Sequence, residues 1–186
     1  MEKRISTYFG SINKYFVSAF VVIAVVAGTL YFVDEIYPKL MATTLPAVDK
    51  VVVKKLERRL HLIKDDMIVK TYTISLGGEP FGHKEREGDS RTPEGDYRID
   101  WRNPNSQFHL AMHISYPNTA DKSQAERGGY SPGGAIMIHG RPNWIGWTDF
   151  LFENQDWTDG CIAVNNIEME EIWNSVPNGT PIAIYP

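Results

Sequence analysis

The longest apolar run of the chain lies close to its N-terminus. Between Tyr15 and Val33 there is no charged residue, and Val, Ala, Phe and Ile predominate. A run of this length suffices to cross a bilayer as a helix, and Tyr31 and Phe32 stand where interfacial aromatic residues are common. The competing interpretation, a cleaved signal peptide, predicts a shorter apolar core followed by a small-x-small cleavage site. The pattern favours an uncleaved transmembrane anchor over residues 15–33.

The charges on the two sides of this run differ in sign. Basic residues precede it and acidic residues follow it: Lys3, Arg4 and Lys14, then Asp34 and Glu35. The positive-inside rule places residues 1–14 in the cytoplasm and the chain after the helix outside it. We therefore expect a single-pass protein of the cytoplasmic (inner) membrane, with its folded part in the periplasm or another extracytoplasmic space.

The chain after the anchor changes to a pattern of short elements. Residues 34–47 contain Pro38 and Pro46, which predicts a linker, and the folded domain is expected over residues 48–186. Within this domain apolar and polar residues alternate with the period of a strand. Strands are predicted at residues 51–53, 59–63, 67–76, 97–99, 108–115, 136–140, 162–164 and 181–185.

Helical signals in the domain are few. Asn165 with Glu168 three residues later resembles a capping box and predicts a short helix over about 166–175. Residues 77–96 are predicted as a long loop rich in glycine and charge, and residues 121–134 as a polar loop. The expected fold is mainly β, a sandwich or barrel with one or two short helices.

Composition narrows the class of protein. The 186 residues carry a formal net charge of −4, and Lys and Arg are scattered along the chain. No basic stripe is present that would follow a phosphate backbone, so nucleic acid is excluded as a partner. The length allows one domain with a proper core in addition to the anchor.

The candidate chemistry lies in two stretches that each combine a short apolar run with glycine. The first ends in His139 and Gly140, and the second contains Gly160 and Cys161, the single cysteine of the chain. Outside the cytoplasm a lone cysteine has no partner for an intramolecular disulfide, so its thiol is either buried and inert or kept for reaction. A nucleophilic thiol needs a base, and His139 is the candidate.

Glycine beside the thiol suits the stabilisation of a developing negative charge. Gly160 permits a tight turn in which successive backbone N–H groups point at one position. The N–H groups of Asp159, Gly160 and Cys161 are the predicted oxyanion hole, and acyl transfer through a thioester is the predicted reaction type.

The histidines of the chain raise the alternative of a metal site. His109 and His113 share one face of a predicted strand, and His83 or His139 could join them. No oxygen or thiolate ligands at a recognisable spacing complete a tetrahedral set. The pattern favours histidines that face solvent or line a site, with no metal and no cofactor.

The segment between His139 and Cys161 is dense in aromatic residues. Trp144 and Trp147 flank Gly146, which predicts either a lid over the thioester or ordinary packing. Arg141 is either a ligand for a substrate carboxylate or an exposed loop arginine.

Several motifs together resemble a known family. They are Gly82-x-Lys84, then Gly88-Asp89-x-Arg91-Thr92-Pro93-Glu94-Gly95-x-Tyr97, then His139-Gly140 and Gly160-Cys161-Ile162, in this order from about residue 51 to the C-terminus. This arrangement resembles the L,D-transpeptidase catalytic domain family (YkuD-like). The resemblance implies peptidoglycan stem peptides as substrate, Cys161 as nucleophile, His139 as general base and acid, and the Gly140 carbonyl as the group that orients the imidazole.

This chain departs from the family pattern at two positions. Thr158-Asp159-Gly160-Cys161 replaces the usual Ser-His-Gly-Cys, and Ala163 replaces a common Arg. A carboxylate at Asp159 would raise the pKa of the thiol unless it pairs or points away. Stem carboxylates would then depend on Arg141 or Arg91, with Trp144, Trp147 and Thr158 as further candidate contacts.

Two hypotheses follow from the sequence. The first is a membrane-anchored L,D-transpeptidase, or a carboxypeptidase or endopeptidase with the same site, since both differ only in the second nucleophile. The second is a peptidoglycan-binding scaffold that has lost the chemistry, which the two departures motivate. A working site predicts that Cys161 alkylates below the pH expected of an ordinary thiol.

Overall fold

The computed structural model describes residues 2–152 and 155–186, with side chains from residue 15 onward. Helix α1 (Glu2–Tyr31) continues through a π-helical turn (Phe32–Ile36) into α2 (Tyr37–Met41). The segment Tyr15–Met41 has the length and composition of a membrane span, and none of its most apolar window is buried. A core helix of a soluble domain would be buried, so packing does not account for this apolar surface.

The helix extends further than the sequence indicated. The first part of the predicted linker, residues 34–41, is helical, and extended chain begins at Ala42. Pro38 does not end the helix because it occupies the first turn of α2, where a missing N–H is tolerated. The predicted linker is therefore reduced to a short extended segment before the first strand.

The strands of the described chain form one sheet of eight, in the order β3-β2-β1-β8-β4-β5-β6-β7. β1 pairs parallel with β8 and β6 pairs parallel with β7, whereas the other neighbours are antiparallel. The strands are β1 (Lys50–Lys54), β2 (Arg59–Lys64), β3 (Met67–Thr73), β4 (Gly95–Ser106), β5 (His109–Ile114), β6 (Met137–His139), β7 (Ile162–Ala163) and β8 (Pro181–Tyr185).

The sheet curls until its two edges approach each other. Ser75, just after β3, bridges to Ala163 in β7, and Gly77 bridges to Thr158. The predicted mainly β fold is confirmed, and its form is a curled, barrel-like sheet. Apolar side chains from most strands fill the interior together with Met169 and Ile172, both fully buried on the helix after β7.

Two helices flank the sheet. α4 (Asn166–Ser175) begins at the capping box of Asn165 and Glu168, so the predicted helix is confirmed. α3 (Thr119–Gly128) occupies most of the stretch predicted as a polar loop, which corrects that prediction. Asn118 and Asp121 form a capping box there, and Ala125 is the buried apolar residue of the helix. α3 therefore lacks the apolar periodicity by which helices are found in a sequence.

Candidate active site

His139 and Cys161 reach one cavity because their strands are neighbours. His139 ends β6, Cys161 immediately precedes β7, and the register pairs His139 with Ala163. Both side chains line a cavity of about 330 Å³. Its other walls are Asn103, Ser106, Gln107, Phe108, Ala111, Ala135, Met137, Trp157, Thr158 and Asp159.

A second cavity, of about 380 Å³, shares Cys161 with the first. Ala135 and Asp159 also belong to both, so the cysteine lies where the two cavities meet. The remaining walls come from the loop before β4 and from the glycine-rich stretch before β6: Lys84, Glu87, Gly88, Ser90, Gly133, Gly134 and Ile136.

The environment of the thiol favours its protonated form. Cys161 Sγ accepts a hydrogen bond from the Met137 N–H at 3.4 Å and lies 3.7 Å from the Ala135 carbonyl oxygen. Burial raises the pKa of Cys161, and the Asp159 charge raises it further. The hydrogen bond from the Met137 N–H and the Lys84 charge act in the opposite direction, but the pKa remains raised. In this conformation the surroundings of the thiol therefore oppose a lowered pKa, and the predicted reactivity of Cys161 at low pH stays a prediction.

The imidazole is held in one tautomer and kept neutral. His139 is 4% exposed, and its Nδ1–H donates to the Gly140 carbonyl at 2.7 Å, so Nε2 carries the free lone pair. Burial lowers the pKa of His139 to about 4, and the Arg141 charge lowers it further, while the bond to Gly140 acts in the opposite direction. Phe108 and Trp157 pack against the ring at centroid distances of 4.6 and 5.7 Å.

No hydrogen bond joins His139 to Cys161 among the described residues, because the sulfur contacts Met137 and Ala135 instead. Both groups are uncharged at neutral pH and lie in the same cavity. A direct proton transfer between them would need a hydrogen bond from Sγ to Nε2, which this conformation lacks.

The turn before the cysteine is organised by Thr158. Its hydroxyl donates to the Cys161 carbonyl at 2.8 Å and accepts from the Gly160 N–H at 3.2 Å. This corrects the prediction for Gly160, because that N–H is not free to bind an oxyanion. The N–H groups of Asp159 and Cys161 donate to no residue that the structure describes, so two of the three predicted donors remain.

Only glycine fits at position 160, because a side chain would clash there and the backbone adopts a positive φ. Its φ is +125°, and a Cβ there would lie 2.5 Å from the Arg91 carbonyl oxygen. Any side chain would push the turn away from the loop before β4 and move the thiol with it.

The two predicted arginines do not line either cavity of Cys161. Arg141 is buried, pairs with Asp149 at 2.6 Å and lines a separate cavity with Ser75 and Glu168. The Arg141 backbone N–H donates to Asn166 Oδ1, on the first residue of α4, at 2.8 Å. Arg91 points its guanidinium at the His83 carbonyl.

The cation that does line the second cavity is Lys84. It is almost fully buried and pairs with Asp89 at 2.7 Å. Asp89 also accepts from the backbone of Glu85, Arg86 and Arg91, and these donors lower its pKa to about 2 despite its burial.

The two tryptophans predicted as a lid, Trp144 and Trp147, do not contact this site. Trp144 lines a small cavity with Tyr31, Asp34 and Glu35 of the N-terminal helix, and the Trp147 indole N–H donates to the Trp144 carbonyl at 3.2 Å. Neither residue lines a cavity that contains Cys161. The loop contacts the N-terminal helix, a neighbour that sequence periodicity does not indicate.

Sequence reasoning missed the residues that the β4–β5 hairpin contributes. Asn103, Ser106, Gln107 and Phe108 form one wall of the first cavity. In the sequence, the apolar pattern breaks off before the predicted strand at 108. This break indicates a turn, but it does not indicate which part of the molecule the turn contacts. Trp157 also lines this cavity, and no local pattern in the sequence indicates that it packs against His139.

Two histidines also have different surroundings from those expected. His109 is buried beneath α4, with Nε2 2.9 Å from Glu170 Oε1, so it neither faces solvent nor lines the cavity. His113 lies 2.6 Å from Asp100 and stacks on Trp101. The described residues contain no group of three or more His, Cys, Asp or Glu that could hold a metal ion.

The fold and the site define a curled β-sheet domain whose cleft carries a cysteine and a histidine at the ends of adjacent parallel strands. The sequence model of the L,D-transpeptidase catalytic domain (YkuD) matches residues 49–184. The chain belongs to this family, and the resemblance seen in its motifs is confirmed.

Individual relatives agree with this assignment. YafK of Escherichia coli K12, whose name gives it as a candidate L,D-transpeptidase, is 30% identical over 129 residues, which are 64% of this chain and 44% of YafK. The chain thus spans less than half of that relative. The structure of the helical cell shape determining protein Pgp2 from Campylobacter jejuni is similar with a TM-score of 0.55 and 25% identity, over 80% of this chain and 54% of Pgp2.

Proposed function

We propose that this protein is a membrane-anchored cysteine acyltransferase that acts on peptidoglycan stem peptides by L,D-transpeptidation. The observation that carries the proposal is that Cys161 and His139 line one cavity in a domain of this family. The substrate bond is an L–D peptide bond, most simply that of a diamino acid followed by D-Ala.

In the first half-reaction Cys161 Sγ attacks the carbonyl carbon on the L-centre side of the bond. The sulfur proton passes to His139 Nε2, which is the unprotonated nitrogen because Nδ1–H is bonded to the Gly140 carbonyl. The N–H groups of Asp159 and Cys161 stabilise the oxyanion. When the C–N bond breaks, the leaving amine takes the proton from His139, and the acyl group remains on sulfur as a thioester.

In the second half-reaction an amine of another stem peptide attacks the thioester carbonyl. It loses a proton to His139 Nε2, the C–S bond breaks, and the thiolate takes that proton. The second cavity at Cys161 supports this step, because an acceptor can approach the sulfur through it while the donor stem occupies the first cavity. Water entering the same way would give a carboxypeptidase or endopeptidase.

The apolar N-terminal helix supports anchoring in the cytoplasmic membrane. Its central residues are exposed and carry no charge between 15 and 33, and the basic residues precede them. We infer a cytoplasmic N-terminus and a catalytic domain on the outer side, where peptidoglycan lies.

The decisive experiment incubates the full-length protein with a muropeptide that bears a tetrapeptide stem and follows the products by mass spectrometry. We expect a Cys161-linked acyl adduct and a cross-linked dimer. Cys161→Ser should abolish both, and His139→Ala should lower adduct formation by a factor of about 10²–10⁴, the range usual for a general base. Trp101→Phe, a change outside both cavities, is the control that should react normally.

The same experiment separates the alternatives. A tripeptide product without a dimer would replace the transferase by a hydrolase. Unchanged substrate with a folded protein would contradict both and favour the inactive scaffold, which the raised pKa of Cys161 and its lack of a bond to His139 among the described residues support.

A further inference from the structure

A patch of large apolar side chains is exposed beside the N-terminal helix. It comprises Trp144 and Ile145 and the 3₁₀ segment Gly146–Leu151, and we call residues 144–151 the interfacial loop. Its exposed members are between 42% and 68% accessible: Trp144, Ile145, Trp147, Phe150 and Leu151. A contiguous apolar patch of this kind marks a binding surface in a soluble domain.

The interfacial loop contacts the chain where the apolar span ends. Trp144 lines a small cavity with Tyr31, Asp34 and Glu35. Asp34 is 3% exposed, and a Cβ on Gly146 would lie 3.0 Å from its Oδ1, so the loop backbone is packed directly against the carboxylate.

Helix geometry gives the depth of this contact in a membrane. A helix over residues 15–33 is about 28 Å long at about 1.5 Å per residue, close to the ~30 Å hydrocarbon thickness of a bilayer. Asp34 then lies at the start of the headgroup region. A loop packed against Asp34 lies at the same depth, which is where Trp residues are enriched in membrane proteins.

The connection between helix and domain keeps the loop at this depth. The helix continues without interruption to Met41, and the Thr43 N–H donates to Glu171 Oε1 of α4 at 2.9 Å. The domain is thus tied to the helix at two separate places, Thr43 and the interfacial loop. These contacts hold the domain against the end of the helix.

We propose that the interfacial loop inserts its aromatic and aliphatic side chains into the headgroup boundary of the bilayer that α1 spans, as a second membrane contact of the catalytic domain. The inference rests on the proposed anchoring. It commits to lipid as the partner because Trp144 of the patch meets Tyr31, the exposed aromatic residue at the end of the apolar helix.

The contact positions the cleft as well as the domain. Asn143, next to the loop, donates from Nδ2 to the Ser106 carbonyl at 2.9 Å and from its backbone to the Gln107 carbonyl at 3.0 Å. Ser106 and Gln107 form a wall of the first cavity. A loop held in the membrane surface therefore holds one wall of the cleft at a fixed height above it, and limits the reach of the site to peptide stems close to the membrane.

The test measures tryptophan quenching in full-length protein incorporated, one copy per disc, into phosphatidylcholine–phosphatidylglycerol nanodiscs with brominated acyl chains. We expect bromines near the headgroup end to quench strongly and bromines near the chain terminus weakly. Trp144→Phe with Trp147→Phe should remove most of the quenching. Trp101→Phe, which removes an exposed tryptophan on β4, is the matched control and should leave it unchanged.

A rescue variant guards against an altered fold. Phe150→Trp, introduced into the Trp144→Phe/Trp147→Phe protein, should restore shallow quenching because Phe150 is the most exposed member of the loop. Equal quenching in the double variant and in the wild type, or no recovery with Phe150→Trp, would overturn the proposal.

Failure of the anchoring itself gives a different result. If the full-length protein does not float with liposomes or is extracted from them by alkaline carbonate, the proposed transmembrane helix is wrong and so is the loop contact. If it floats and resists extraction but shows no quenching from the loop, the anchor stands and only the loop proposal falls.

Discussion

At the scale of single residues, burial sets the protonation states of the candidate pair. It raises the pKa of Cys161 and lowers that of His139 to about 4, so the free protein holds a neutral thiol beside a neutral imidazole. No ion pair is stored before substrate binds. In the proposed reaction the proton moves during attack, which keeps charge out of a buried cavity until the oxyanion donors can stabilise it.

The buried imidazole makes stability depend on pH. The pKa of His139 is about 4 in the folded protein against ~6.5 in the unfolded chain, so the unfolded chain binds more protons between these values. The contribution of His139 to the free energy of unfolding is fully present above pH ~6.5. It is lost as the pH falls towards about 4. The free energy of unfolding, measured with urea on the full-length chain in detergent, should depend less on pH in this window for His139→Gln than for the wild type. His113→Gln is the control and should keep the pH dependence of the wild type. Parallel pH curves for wild type and His139→Gln would contradict the assignment.

Thr158 should matter through its hydroxyl rather than its size. Thr158→Val removes the bonds to the Cys161 carbonyl and the Gly160 N–H, and we expect a loss of about 1–3 kcal/mol in the free energy of unfolding. Acylation of Cys161 should slow as well, because the turn that aims the oxyanion donors loosens.

Thr158→Ser is the matched control, since it keeps both bonds. Thermal unfolding and single-turnover acylation by mass spectrometry are the measurements. If Thr158→Val and Thr158→Ser behave alike, the hydroxyl does not organise the turn.

At the scale of elements, the long loop before β4 is fastened by one buried lysine. Lys55, 1% exposed directly after β1, donates from Nζ to the Gly82 carbonyl at 2.6 Å, the Thr92 carbonyl at 2.9 Å and Glu94 at 2.8 Å. This loop supplies a wall of the second cavity. The lysine thus links the first strand to the geometry around Cys161.

Removing that lysine should free the loop. Lys55→Met leaves the Glu94 carboxylate and two carbonyls without their donor. Removing one partner of a buried ion pair is expected to lower the free energy of unfolding by about 3–5 kcal/mol. Hydrogen exchange of residues 82–94 should accelerate. Lys54→Met is the control, because Lys54 is exposed and pairs with the exposed Glu57 at 3.1 Å. Similar exchange in the two variants would show that the loop is held by other contacts.

At the scale of the whole molecule, α4 joins the sheet to the N-terminal helix. Glu171 accepts from the Thr43 N–H, from the Tyr72 hydroxyl at 3.0 Å and from Lys70 at 3.2 Å. One buried carboxylate therefore holds together the segment after α2, strand β3 and α4. These donors lower the pKa of Glu171 although burial acts to raise it.

Loss of Glu171 should loosen the domain from the helix without unfolding the sheet. In Glu171→Ala the segment from Ala42 to Pro46 loses its side-chain anchor, and limited proteolysis of the full-length protein should cut there faster. Glu126→Ala, an exposed change on α3, is the control. Unchanged proteolysis in Glu171→Ala would show that Glu171 does not hold this segment against the domain.

Features set by neighbouring residues were predictable from the sequence. The apolar N-terminal helix, most strands, the cap of α4, and the glycine beside Cys161 each depend on hydropathy, alternation or backbone geometry within a few positions. α3 escaped prediction because its stabilisation comes from a cap and from the contact of Asp121 with Tyr97 at 3.1 Å, not from an apolar stripe.

The amino-acid sequence by itself determined that this protein has an apolar N-terminal helix, a mainly β domain and a candidate cysteine–histidine pair. Tertiary structure decided which side chains surround that pair. Arg141 turned towards Asp149, the tryptophan loop towards Asp34, and the hairpin of Phe108 towards the cleft. The physical reason is that direction and burial arise from packing between segments far apart in the chain, about which local periodicity carries no information.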